Sequence, residues 1–126
     1  MSDRRFVHII HEDVSVRDAL ASLMIVEGLN VQKHASALSF FETVDQNDQG
    51  CLILDVDMPD MSSADFLTTM TDQGVSLKIV AISAHADALS SNPAMEAVAS
   101  AFHEMPGDLD EVVCSIHAAL APTTDD

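Results

Sequence analysis

Cations are scarce in this 126-residue chain: five Lys plus Arg stand against 21 Asp plus Glu, a formal charge of −16. Nucleic-acid binding draws on clustered Lys and Arg that displace counterions from phosphates, so a nucleic-acid-binding domain is disfavoured. A helix lying on anionic lipid needs the same cations and is disfavoured too. Trp and Tyr are absent and aromatic residues make up 4%, which leaves little on which bases could stack. No apolar run approaches the roughly eighteen residues of a membrane span. Met1-Ser2-Asp3-Arg4-Arg5 leads only into a short apolar run, so no signal peptide is expected. The two cysteines, Cys51 and Cys114, make neither a disulfide framework nor a closely spaced pair. They read as packed thiols, and a reduced, cytoplasmic compartment is expected. The four glycines are scattered, with no Gly-rich phosphate loop, which argues against a nucleotide-binding enzyme.

What is present is apolar: 48% hydrophobic residues, enough for a folded core in a chain the size of one ordinary domain. Phe6 to Ile10, Cys51 to Leu54 and Ile79 to Ile82 are short, continuous and rich in Val and Ile. Strands covered on both faces look like this. Weaker strands fit near Leu29 to Lys33 and Ser100 to His103. Between them lie helical periods. Val16, Leu20, Leu23 and Met24 precede Gly28; Ala37, Phe40, Phe41 and Val44 follow Ser36; Phe66, Leu67 and Met70 follow Ser62 or Ser63. Asn92-Pro93 starts a short helix to about Val98, and Asp108 caps a stripe of Leu109, Val112, Val113, Ile116 and Leu120. Five strand–helix units predict a single α/β domain, a flavodoxin-like doubly wound sheet of five parallel strands in the order 2-1-3-4-5 with five helices. Its core spans about residues 5–121, with 122–126 a loose tail.

Ligands of such a sheet bind beyond the carboxyl ends of its strands. The chain places His11, Glu12 and Asp13 after the first strand, Asp55 and Asp57 at the end of the third, Ser83 after the fourth and Met105-Pro106 after the fifth. Converging carboxylates repel, and a divalent cation with oxygen ligands, Mg²⁺ above all, relieves this. An Asp beside Mg²⁺ can act as a nucleophile toward phosphorus, and a hydroxyl such as that of Ser83 can bind phosphoryl oxygens.

At these residues the chain resembles the CheY-like receiver domains of two-component response regulators, especially the FixJ-like branch. The likeness rests on Val7-His8-Ile9-Ile10, Val16-Arg17, Asp55-Val56-Asp57-Met58-Pro59-Asp60-Met61-Ser62, Ile82-Ser83-Ala84-His85-Ala86-Asp87 and Phe102-His103-Glu104-Met105-Pro106. It implies that Asp55 is the phosphoacceptor. It also implies that Glu12 ligates Mg²⁺, joined by Asp55 and the backbone carbonyl of Asp57. Ser83 matches the switch hydroxyl and Phe102 the switch aromatic, which bias the face of helix four, strand five and helix five toward a partner. The donor would be a sensor histidine kinase or a phosphotransfer protein. The output would be contact with a downstream protein or a second copy, with no catalysis beyond the domain's own phosphorylation and dephosphorylation.

Four positions depart from the pattern. His11 stands at the family's first aspartate and Met105 at its phosphoryl-pairing lysine, while Ser63 and Val98 replace loop glycines, so both loops are expected to be rebuilt. A thioether supplies neither charge nor donor, and one charge-assisted bond is worth about 1.5–3 kcal/mol. His11 reads as a neutral substitute, with two further readings open: a proton-dependent tuner of the acidic pocket, or a nitrogen ligand favouring a transition metal. The other histidines read as strand or surface residues. Helix four is expected to be short and late, and Met105-Pro106 to be cis, as the family's Lys-Pro is. The alternative is a pseudo-receiver, an interaction module that is not phosphorylated because Met105 and His11 replace the lysine and the first aspartate.

Overall fold

The continuous apolar runs form the middle of a sheet. In the computed structural model, which describes residues 5–88 and 90–121, the elements in chain order are β1 (Arg5–Ile10), α1 (Val14–Val26), β2 (Val31–His34), α2 (Ala37–Thr43), β3 (Gln49–Asp55), α3 (Ser63–Asp72), β4 (Lys78–Ser83), α4 (Pro93–Val98), β5 (Ala99–Glu104) and α5 (Leu109–Leu120). All strands pair in parallel, in the order β2-β1-β3-β4-β5. This is the doubly wound topology that the alternation of strands and helices predicts. Residues 122–126, read as a loose tail, lie outside the described residues.

Successive side chains leave a strand on opposite faces, so each central run feeds two cores. Val7, Ile9, Cys51, Ile53, Val80 and Ile82 pack with Leu20 and Met24 of α1 and with Val112 and Ile116 of α5. Ile10, Leu52, Leu54, Ile79 and Ala81 pack on the other face with Phe40 of α2, Phe66 and Met70 of α3, and Met95 of α4. Each aliphatic side chain so buried contributes roughly 1.5–3 kcal/mol.

Polar caps set where the helices begin. Asp13, Ser36, Ser62, Asn92 and Asp108 each accept backbone N–H bonds from the first turn that follows. Ser62, then, is the cap of α3, and Ser63 opens the helix as a buried residue. The short α4 ends at Val98 and passes directly into Ala99 of β5. No non-glycine residue among those described has positive φ. Ser63 and Val98 thus occupy ordinary helical backbone rather than the glycine conformations their positions suggested. Met105-Pro106 is cis.

One reading is corrected. Cys51 is a packed thiol, which burial pushes up to about 12, but Cys114 is exposed, because it lies off the α5 stripe that faces the sheet.

Under the edge strand β2 lies a polar inclusion that sequence spacing did not reveal. His8 of β1 and His34 of β2 are both buried, with His8 Nδ1 3.1 Å from His34 Nε2. Asp48, also buried, places Oδ2 3.8 Å from His8 Nε2. The two imidazoles stack and meet the edge of Phe40. Burial first, then the charge of His8, lowers the His34 imidazole to about 4.

That shift fixes a pH dependence of folding. Below about pH 6.5 the unfolded chain binds a proton at His34 that the folded protein refuses until about pH 4. Stability is therefore full above pH 6.5 and declines toward pH 4, by up to about 3 kcal/mol from this one group. Urea midpoints measured from pH 7.5 to 4.5 should fall on this account, and His34→Leu should flatten the curve. A second test concerns Gly50, which has φ +119° and leaves a Cβ only 2.1 Å from the Phe6 carbonyl oxygen. Gly50→Ala should lower stability by more than about 2 kcal/mol, read from the same urea midpoints.

Candidate functional site

β1, β3, β4 and β5 all end at one rim, and an open depression there is lined by His11, Glu12, Asp55, Asp57, Ser83 and Met105, among others. Each arrives by a local device. Asp13 is spent on α1, where its Oδ1 accepts from the backbone N–H groups of Ser15 at 2.8 Å and Val16 at 3.3 Å. This pins the turn that carries His11 and Glu12. Arg17 Nη1 donates to the His11 carbonyl from the same helix. Asp55 is the last residue of β3 and pairs in register with Ile82 of β4. The Met105 N–H donates to the Ser83 carbonyl at 2.7 Å, tying the end of β5 to the end of β4.

Asp55 is 8% exposed. Its Oδ1 accepts the Asp57 N–H at 2.9 Å, and its Oδ2 lies 3.4 Å from His11 Nε2. Burial raises its carboxyl above the ordinary carboxylate value; the Asp57 N–H and His11 pull it down, while the charges of Asp57 and Glu12 push it further up. His11 also accepts the Asp13 N–H on Nδ1 at 3.0 Å. Across the depression the Ser83 hydroxyl donates to Asp57 Oδ2 at 2.6 Å and accepts the His85 N–H at 3.0 Å. His85 Nδ1 stands 3.4 Å from the same Asp57 oxygen.

The rim thus brings together His11, Glu12, Asp55, Asp57, Ser83 and Met105. Phe102 does not line the depression; half-buried on β5, it packs against the core shared by α2, α3 and α4. No lysine or arginine is among the described residues that line the depression. The Met105 side chain instead packs onto the α1–α5 core.

Two residues were not singled out by sequence reasoning. The Asp60 carboxylate accepts the N–H groups of Ala37 at 3.3 Å and Leu38 at 3.1 Å, fastening the loop after β3 to the start of α2. Partners 22 and 23 residues apart leave no local signal. His85, grouped with the strand and surface histidines, is exposed but sits beside Asp57; its signal was its position two residues after Ser83.

A family model described as response regulator receiver domain matches residues 7–117. The Azorhizobium caulinodans transcriptional regulatory protein FixJ is 32% identical over 114 residues, 90% of this chain and 54% of that protein. The Pseudomonas putida response regulator protein TodT is 39% identical over 121 residues, 95% of this chain and 53% of that protein. The chain spans about half the length of these curated relatives. Among solved structures, the response regulator StyR superposes with a TM-score of 0.82 at 31% identity, over 92% of this chain and 59% of that one. FixJ-N does so with a TM-score of 0.78 at 31% identity, over 94% of each chain. Strand order, rim site and a family match across most of the sequence agree: the chain belongs to the response regulator receiver domains of two-component systems.

Proposed function

We propose that this receiver domain accepts a phosphoryl group on Asp55 and passes the signal on by protein–protein contact. The observation that carries the reading is the acid that ends the central strand, sharing one rim depression with Glu12 and Ser83. In the transfer, an Asp55 carboxylate oxygen attacks phosphorus. The new O–P bond forms as the bond from phosphorus to the donor breaks, and the leaving atom keeps the electron pair. A phosphohistidine of a sensor histidine kinase or phosphotransfer protein would leave as imidazole, taking up a proton; acetyl phosphate would leave as acetate.

The donor set suits Mg²⁺. Asp55 feels the negative charges of both Glu12 and Asp57, a repulsion that a cation relieves. Among the described residues no three His, Cys, Asp or Glu side chains form a closed metal cage. Mg²⁺ asks for no such cage, because it takes one or two carboxylates and retains waters. The Glu12 and Asp55 carboxylates and the Asp57 carbonyl would hold it, and when bound it neutralises charge on the phosphoryl oxygens.

Ser83 is the proposed switch hydroxyl. It now donates to Asp57, and binding a phosphoryl oxygen requires it to let go. The Ser83 carbonyl is bonded to Met105, so a shift of Ser83 is felt by β5. Phe102 on β5 is the proposed aromatic that follows it, altering the α4–β5–α5 face for a partner or a second copy. A second reading, the pseudo-receiver, draws on Met105: a thioether lines the depression where the family carries a lysine.

Incubation with acetyl phosphate and Mg²⁺ should add one phosphoryl mass by intact-protein mass spectrometry, and Asp55→Ala should add none. No added mass, together with no spectral change on adding beryllofluoride, would establish the pseudo-receiver instead. Met105→Lys should raise the labelling rate about tenfold or more, the equivalent of one charge-assisted bond.

A further inference from the structure

A phosphoryl group on Asp55 brings negative charge into a pocket whose described lining holds no lysine or arginine. Two nitrogens lie beside the Asp55 carboxylate, His11 Nε2 and the Asp57 backbone N. The Asp57 N–H is already committed to Asp55 Oδ1 at 2.9 Å. The His11 ring is oriented by a bond on its far side, where Nδ1 accepts the Asp13 N–H at 3.0 Å. A neutral imidazole that accepts on Nδ1 carries its proton on Nε2. That nitrogen lies 3.4 Å from Asp55 Oδ2.

Two consequences follow. First, 3.4 Å is longer than a formed N–H···O bond of about 2.7–3.2 Å. The donor stands beside the carboxylate without being consumed by it, as donors in unliganded sites often are. Second, a metal ion would need a lone pair on Nε2, which this tautomer does not offer; binding one there would cost the Asp13 bond. The ring is held in place from behind, since Arg17 Nη1 donates to the His11 carbonyl and Asp13 is anchored as the cap of α1.

We infer that His11 donates through Nε2–H to the phosphoryl group carried by Asp55, taking over part of the role that Met105 leaves unfilled. The inference rests on the phosphoacceptor reading of Asp55. The transfer itself is unchanged: the O–P bond to Asp55 forms, the donor's bond to phosphorus breaks with the leaving atom keeping the electron pair, and the imidazole N–H binds a phosphoryl oxygen. As a neutral donor it is weaker than a lysine.

The test uses beryllofluoride with saturating Mg²⁺ on the full chain, followed by long-range ¹H–¹⁵N spectra of the histidine rings and by acetyl phosphate labelling. The free protein should show His11 protonated on Nε2 and not on Nδ1, and beryllofluoride should shift the Nε2–H resonance. His11→Ala should weaken beryllofluoride binding and slow labelling about tenfold with an unchanged circular dichroism spectrum. His11→Gln, which keeps a donor, should recover part of this, and Met105→Lys in the His11→Ala background should recover all of it. Wild-type protein that is labelled while His11→Ala is labelled equally fast would overturn the role of His11 and leave Asp55 as phosphoacceptor. A proton found on Nδ1, or a parallel loss of Mg²⁺ affinity in His11→Ala, would also overturn it. Wild-type protein that takes neither label nor beryllofluoride would overturn both readings.

Discussion

β3 has a strand on each edge and helices over both faces, and its last residue is an acid. Cys51 to Leu54 are fully buried, so the strand cannot slide or tilt without opening both cores. Asp55 inherits that rigidity. Its carboxylate is held where water is scarce, which raises its affinity for a proton and makes each neighbouring dipole and charge count for more. The Asp57 N–H, the His11 ring and the Glu12 charge act on an atom whose position the core has already settled.

The shortage of cations acquires a location in the folded protein. Lys33 pairs with Asp18 on the surface at 2.9 Å, a contact worth little in solvent. Arg17 supports the His11 backbone, and Lys78 begins β4 at the opposite end from the rim. The acids, by contrast, are distributed with distinct tasks. Asp13 and Asp108 cap helices, Asp60 joins the β3–α3 loop to α2, and Asp57 holds Ser83. Among the described residues that line the rim depression there is no lysine or arginine.

Much of this was legible in one dimension. The central strands announced themselves by unbroken Val, Ile and Leu, because parallel strands are buried on both faces. Helix starts were legible because a cap and the N–H groups it satisfies lie within three residues of each other; Asp13, Ser36, Asn92 and Asp108 all follow this rule. The site residues were placed at one rim by strand order alone. Cys114 was misjudged, since it lies off the α5 stripe that faces the sheet.

Sequence therefore determined the element order, the sheet topology and the identity of the rim residues, since these depend on local period and on capping within one turn. Only the tertiary structure decided how those residues meet. His8 and His34 are 26 residues apart and stack because β1 and β2 are neighbours, His34 lying two positions beyond Gln32, the residue paired with His8. Ser83 reaches Asp57 because β3 and β4 end side by side. His11 Nε2 comes within 3.4 Å of Asp55 Oδ2 because β1 and β3 are neighbours. Such contacts are fixed by distances of about 3 Å between chain segments that only the closed sheet brings together, and no spacing along the chain encodes them.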